Sequence, residues 1–273
     1  MTEPGTNLLF ELQGLNTWFP VRRGVFSRIT GYVKAVRDAT LDIRQGEVLG
    51  LVGESGSGKS TLGRTLAGLE KPHSGTSVFK GMNQQEWSRR EWKRYRRSIQ
   101  IIFQDPFASL NPRMTVQDII TEGLVAHRML EGSAEDAAVS LLEDVGLDAG
   151  YLHRYPFEFS GGQRQRISIA RAISLRPDFI VCDEAVSALD VSIQAQVINL
   201  FQDLKEKYNL TYLFISHDLS VVRHISDRIA VMTQGEVVEL GESEQVMESP
   251  QHAYTKKLLS AVPLPGKSRR RTD

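Results

Sequence analysis

The residues GESGSGKS occupy positions 53–60, between an apolar run, EVLGLVG (47–53), and STLGRTLAGL (60–69), whose apolar residues recur at helical spacing. A buried strand that runs into glycines and then into a helix is the setting in which G-x-x-x-x-G-K-[ST] holds phosphate. The loop Gly53, Glu54, Ser55, Gly56, Ser57, Gly58 would turn backbone N–H groups inward around phosphate oxygens. Lys59 would reach the β- and γ-phosphates, and Ser60 would place its hydroxyl on Mg²⁺. The helix continuing through Thr61 adds the positive end of its dipole. The expected ligands are therefore ATP and Mg²⁺, and the expected fold is α/β around this strand.

Three more apolar runs end in polar residues: SIQIIF (98–103) at Gln104, FIVC (179–182) at Asp183 and Glu184, and TYLFIS (211–216) at His217. In parallel α/β sheets ligands gather outside the carboxyl ends of the strands, so the pattern predicts one shared site. Asp183 would hold Mg²⁺ through water. Glu184 would take or orient a proton of the water that attacks the γ-phosphate. An Asp-Glu pair is also how a strand exits to solvent; the phosphate loop favours the catalytic reading.

Between Gln104 and Ser160, TVQDIITEGLVAHRML and EDAAVSLLEDVGL read as amphipathic helices with no strand between them, a helical lobe over 105–164. The predicted core is 8–104 and 165–242, with a C-terminal helix and basic tail over 243–273, all in one domain. DRIAVMTQGEVVELG reads as a hairpin around Gln234-Gly235, an antiparallel β portion, and 190–208 as a long helix. FSGGQRQR (159–166) opens another helix, with Ser160 as N-cap. It is either a plain capped helix or a second anion cradle. One nucleotide cannot use both helix starts, so the second would serve a nucleotide held by another subunit in a head-to-tail pair.

With 33 basic and 33 acidic residues, the chain has no net field to hold a polyanion. The basic run RREWKRYRRS (89–98) reads as a nucleic-acid or lipid-headgroup patch or, the reading adopted, a solvated helix face with Trp92 and Tyr95 on the packed side. Nucleic acid is not an expected partner. No signal peptide and no run of 18 apolar residues is visible, so the chain is expected in the cytosol. The one cysteine, Cys182, reads as a small buried hydrophobe. His127, His153, His224 and His252 lack metal-ligand spacing.

GESGSGKS, Gln104, FSGGQ, VCDE, SALD (187–190) and His217, in that order, resemble the ATPase subunit of ABC transporters over residues 8–262. IFQDPFASLNPRMTV, RYPFEFSGGQRQRI, DEAVSALDVSIQAQV, FISHDLSVVRHISDRI and SPQHAYTKKLLSAVP resemble its oligopeptide and dipeptide importer branch. The resemblance implies a phosphate-loop core with an antiparallel β portion and an inserted helical lobe. Gln104 would sense Mg²⁺ and the attacking water, His217 the γ-phosphate, and Asp190 the dimer partner. Ser160, Gly161, Gly162 and Gln163 would bind the partner's ATP. An aromatic upstream of the first core strand would stack on adenine; VRRGVFSRITGYVKAV (21–36), read as an extended loop, offers Phe26 or Tyr32, and Tyr32 is chosen. Phe159 and Ala185 stand where many members have Leu and Pro. The implied partners are a second ATPase subunit (a similar but non-identical chain, or a second copy), two membrane permease subunits and an extracytoplasmic solute-binding protein. The chain would lie on the cytoplasmic face of the membrane. The cargo would be peptides or, in the same branch, nickel or another small solute. The rival class, soluble ABC ATPases acting on DNA or ribosomes, carries insertions or duplications absent here.

Overall fold

Along the strand VLGLV the side chains divide between two cores: Val48 and Val52 face one, Leu49 and Leu51 the other. That strand, β3 (Val48–Val52), is thus covered on both faces, as an apolar run without polar alternation requires. The computed structural model describes residues 7–24 and 27–260.

The order is β1 (Leu8–Arg23), β2 (Arg28–Arg44), β3, α1 (Lys59–Leu66), β4 (Ser74–Phe79), β5 (Met82–Asn83), α2 (Arg89–Ser98) and β6 (Ile99–Ile102). There follow α3 (Pro106–Ser109), α4 (Val116–Ala126), α5 (Ala134–Asp144), α6 (Gly161–Ser174), β7 (Phe179–Asp183), α7 (Val191–Tyr208) and β8 (Thr211–Ile215). The described chain closes with α8 (Leu219–Ile225), β9 (Arg228–Thr233), β10 (Glu236–Glu242), α9 (Ser243–Glu248) and α10 (Ala253–Ser260).

A six-stranded sheet runs β10-β9-β3-β8-β7-β6, parallel except for the β9–β10 hairpin at its edge. A four-stranded antiparallel sheet runs β2-β1-β4-β5. One core fills the space between the two sheets around Leu62 and Leu66 of α1; Gly63 lets that helix lie close on β7 and β8, since a Cβ there would meet Ile215 at 2.8 Å and Val181 at 2.9 Å. The other core joins the opposite face of the parallel sheet to α4, α5, α6 and α7. Cys182 is fully buried in it, and burial pushes its thiol far above the ordinary range.

Between β6 and β7 the chain carries α3, α4, α5 and α6 and no strand, and α6 crosses 164/165 as one unbroken helix, so its capped start is rigidly attached to the residues packed on β6. Trp92 and Tyr95 pack inward from α2, as the amphipathic reading of 89–98 requires. The expected extended loop over 21–36 is instead the far end of a long hairpin: Pro20 pairs with Tyr32 and Arg23 with Arg28. Its strand character was hidden because most side chains of 28–35 are exposed, leaving no buried face to give alternation. Phe26 lies outside the described residues.

Arg228 ties the two sheets together. Buried at the start of β9, its guanidinium lies 3.0 Å from Asp42 of β2 and 3.2 Å from Glu47. Burial raises the Glu47 carboxyl above its ordinary range despite the Arg44 amide and the Arg228 charge, which pull it down.

Candidate functional site

The carboxyl ends of β3, β7, β6 and β8 bring the sequence motifs to one edge of the parallel sheet. The turn out of β3 needs glycine for space as well as conformation. At Gly53 a Cβ would lie 2.0 Å from the Met232 carbonyl oxygen, and at Gly58, with φ 105°, 2.2 Å from that of Ala35. The loop is thus wedged between β9 and β2, and the Gly235 N–H donates to the Ser57 carbonyl at 2.9 Å. Ala35, Ser55, Gly56, Gly58, Lys59, Ser60, Thr61 and Glu184 line one cleft. Ala35 is a wall that motif reading did not supply.

Lys59 is buried, and its Nζ donates to the carbonyls of Gly53 at 2.8 Å and Glu54 at 2.9 Å. Burial lowers its pKa, opposed by the carboxylates of Glu184 and Asp183. The Ser60 hydroxyl donates to Asp183 Oδ1 at 2.7 Å, and Arg64 NH2 lies 3.7 Å from Oδ2. A second cleft is lined by Ser60, Arg64, Phe103, Gln104, Asp105, Ala108, Ser109 and Asp183, so Gln104 shares a wall with the Ser60–Asp183 pair.

Glu184 sits just past β7 with φ 52°, a left-handed conformation rare outside glycine. Three contacts hold it there: its N–H donates to the Ile215 carbonyl at 3.0 Å, and its carbonyl accepts from the Ser187 N–H at 3.1 Å and hydroxyl at 2.9 Å. The side chain is left free to point at the cleft, with Oε2 3.4 Å from His217 Nδ1. The two residues read as base and γ-phosphate contact are therefore neighbours. Backbone strain of this kind carries no signal in the sequence.

Ser160 caps α6 in a reciprocal box: its Oγ accepts from the Gln163 N–H at 3.4 Å, and its own N–H donates to Gln163 Oε1 at 3.0 Å. Neither cleft described above includes Ser160, Gly161, Gly162 or Gln163. Gly161 is nearly open, but a Cβ on Gly162 would meet Ile193 Cγ2 at 2.7 Å, so Gly162 is also needed for α6 to pack on α7. Asp190 is exposed at the start of α7, and its side chain makes no capping bond. A link that sequence reading missed joins α6 to the segment after Gln104. The Arg164 guanidinium lies over the Phe107 ring at 3.5 Å, and Arg171 NH1 donates to the Ser109 carbonyl at 2.6 Å.

Tyr32 lines neither of the two clefts described above. Its ring lies 6.2 Å from Trp18 and 5.7 Å from His73, on the hairpin face that carries Pro20. The opposite face is marked by buried Thr17, whose hydroxyl is 3.0 Å from that of Thr65 in α1. Phe19, two residues further on and half-buried, follows a register irregularity between Thr17 and Trp18.

A family model described as "ABC transporter" matches residues 36–187, and one described as "Oligopeptide/dipeptide transporter, C-terminal region" matches 238–273. With the phosphate loop, Gln104, Asp183, Glu184 and His217 converging at one sheet edge, the chain belongs to the ABC transporter family as an ATP-binding, ATP-hydrolysing subunit. Among its relatives, the oligopeptide transport ATP-binding protein AppF of Bacillus subtilis (strain 168) is 52% identical over 97% of this chain and 81% of its own length. OppF of the same organism is 52% identical over 95% and 84%. The glutathione import ATP-binding protein GsiA of Escherichia coli (strain K12) is 52% identical over 96% of this chain, which spans 42% of that protein. The fold matches the ATP-binding cassette MJ0796, solved as a dimer in a post-hydrolysis state with ADP and Pi, at 27% identity and TM-score 0.75 over 86% of this chain and 98% of that one. Cassette cbiO1 of Clostridium perfringens, part of the cbiONQ transporter complex, matches at 25% identity and TM-score 0.76 over 89% and 92%.

Proposed function

We propose that this chain powers uptake of oligopeptides or dipeptides in a bacterial importer, from the cytoplasmic face of the membrane, through two permease subunits fed by an extracytoplasmic binding protein. The observation that carries the peptide class is the oligopeptide/dipeptide C-terminal match over 238–273, beside 52% identity to oligopeptide ATPases over nearly the whole chain. Among the described residues no helix is long and apolar enough to cross a membrane, so the translocation path would belong to other chains.

In this reading the Gly53–Ser60 loop and Thr61 bind the phosphates, Lys59 spans the β- and γ-phosphates, and Phe19 replaces Tyr32 as the aromatic beside adenine. Ser60, Asp183 and Gln104 offer hard oxygen donors around one cleft, which suits Mg²⁺. No group of three or more His, Cys, Asp or Glu converges among the described residues, so such an ion needs phosphate and water oxygens as well. When bound, Mg²⁺ supplies charge neutralisation of the phosphates. Glu184 accepts the proton of the attacking water while His217, 3.4 Å away, orients toward the γ-phosphate. Ser160, Gly161, Gly162 and Gln163 complete a partner's site, with Asp190 reporting across the interface; their absence from the lining of the two clefts at Lys59 and Ser60 supports a role in trans. The Arg164–Phe107 stack would carry closure of that interface to the segment after Gln104.

The test is reconstitution of the chain with its membrane partners in vesicles. ATP-dependent uptake of labelled di- and oligopeptides, abolished by Lys59→Ala, supports the reading. ATP turnover that never responds to peptide and binding protein sinks it.

A further inference from the structure

Tyr254 of α10 is 200 residues from the phosphate loop in sequence, yet its hydroxyl oxygen accepts a hydrogen bond from the Glu54 N–H at 3.1 Å. That N–H and the Gly53 carbonyl belong to one planar peptide unit. The carbonyl end accepts from Lys59 Nζ at 2.8 Å. A single rigid plate is therefore gripped at both ends, by Tyr254 on one side and by the phosphate-binding lysine on the other. It cannot rotate without disturbing both bonds. Gly53 is meanwhile pressed on β9, where the Met232 carbonyl leaves no room for a side chain.

The hydroxyl is itself fixed. The entry to α10 is held by Glu239 of β10, whose Oε1 accepts from the Gln251 N–H at 2.7 Å and Oε2 from the His252 N–H at 3.0 Å. Thr255 is buried, and Tyr254, Leu258 and Leu259 pack on the main core. The anchoring residues all fall in the segment matched by the oligopeptide/dipeptide C-terminal model. The tail that sets this chain's branch apart thus reaches the motif common to phosphate-loop proteins.

We propose that Tyr254 is a positioning residue of the nucleotide site, through which docking of the C-terminal arm sets the affinity for ATP. The inference rests on the ATP-binding reading above. Without the hydroxyl, the Glu54 N–H loses its protein partner and the Gly53–Glu54 peptide is free to leave the orientation that seats Lys59. Apparent affinity falls by the fraction of molecules so displaced. The ceiling is what one neutral hydrogen bond holds in place, about fivefold.

The full-length chain is titrated with a fluorescent ATP analogue in Mg²⁺, and KM and kcat for ATP are measured in the assembled complex. Tyr254→Phe is expected to weaken binding about fivefold and raise KM equally, leaving kcat within about twofold. Glu239→Ala, which frees the arm at its entry, is expected to weaken binding in the same direction, and the double variant to bind no worse than the weaker single one. Unchanged affinity in Tyr254→Phe, a fall in kcat without a change in KM, or multiplying effects in the double variant overturns the proposal. Failure of the parent to bind the analogue, or its indifference to Lys59→Ala, overturns the ATP reading beneath it.

Discussion

Replacing Glu184 by Gln removes one negative charge and almost no packing. The backbone at Glu184, held at φ 52°, is fixed by the Ile215 carbonyl and by the Ser187 N–H and hydroxyl, none of which involves the side chain. The carboxylate lies 3.4 Å from the largely exposed His217, and its charge also acts on Lys59 across the cleft. Thermal stability is therefore expected to change by less than about 0.5 kcal/mol. Catalysis loses its proton acceptor, worth about 10²–10⁴-fold, or about 3–5.5 kcal/mol of barrier. Lys59 keeps its bonds to the Gly53 and Glu54 carbonyls and the nearby Asp183 charge, and the Ser60–Asp183 bond is unaltered, so binding persists while cleavage stops. The assay is single-turnover phosphate release from the assembled complex, with retained nucleotide counted after rapid gel filtration. Intact ATP trapped on the complex is the expected result. Turnover within tenfold of the parent refutes Glu184 as the base, and loss of ATP binding refutes the separation of binding from cleavage.

Arg228→Ala leaves Glu47 buried without its main cation, at a cost of about 3–5 kcal/mol. Calorimetry is expected to show a fall in Tm of about 6–20 °C, and a fall below 2 °C contradicts the tie between the sheets. Phe19→Ala is expected to weaken ATP binding about tenfold while Tyr32→Ala leaves it within twofold; the reverse ranking in the same titration restores Tyr32. Partial burial works to raise the Glu239 carboxyl, yet the amides of Gln251 and His252 bring it below its ordinary value. A depressed folded-state pKa means its contribution is complete above the ordinary carboxylate range and lost only as pH falls through the lowered value. Hydrogen-exchange protection of the Gln251 and His252 amides should thus hold from pH 7 to about 5 and decline only below that. Loss already near pH 6 would contradict this assignment.

The strands were legible because β3, β7 and β8 are buried on both faces and, with the edge strand β6, run as short apolar segments into the phosphate loop, Gln104, Asp183, Glu184 and His217. The start of α6 was legible from Ser160 as N-cap, since capping is a property of a few consecutive residues; the reciprocal bond with Gln163 completes the box in the structure. The hairpin beyond Pro20 was not, because strands exposed on both faces carry no period. The face that Tyr32 presents was hidden for the same reason: face depends on register, and register depends on pairing between strands. Contacts between distant segments left no trace in the sequence. Gly162 against Ile193, Arg164 over Phe107 and Tyr254 on Glu54 each join residues whose neighbours in the chain say nothing of the partner.

The claim beneath the proposed mechanism is that the Ser160–Gln163 helix start serves a nucleotide seated on another subunit's loop. It is tested by placing Lys59→Ala in this chain, assembling the complex, and adding ATP with a photoreactive γ-phosphate. Labelling of the 160–163 peptide in the Lys59→Ala chain should persist, since the partner's loop holds the nucleotide. Disappearance of that label, with the partner still binding ATP, would put both helix starts on the same nucleotide and contradict the shared site.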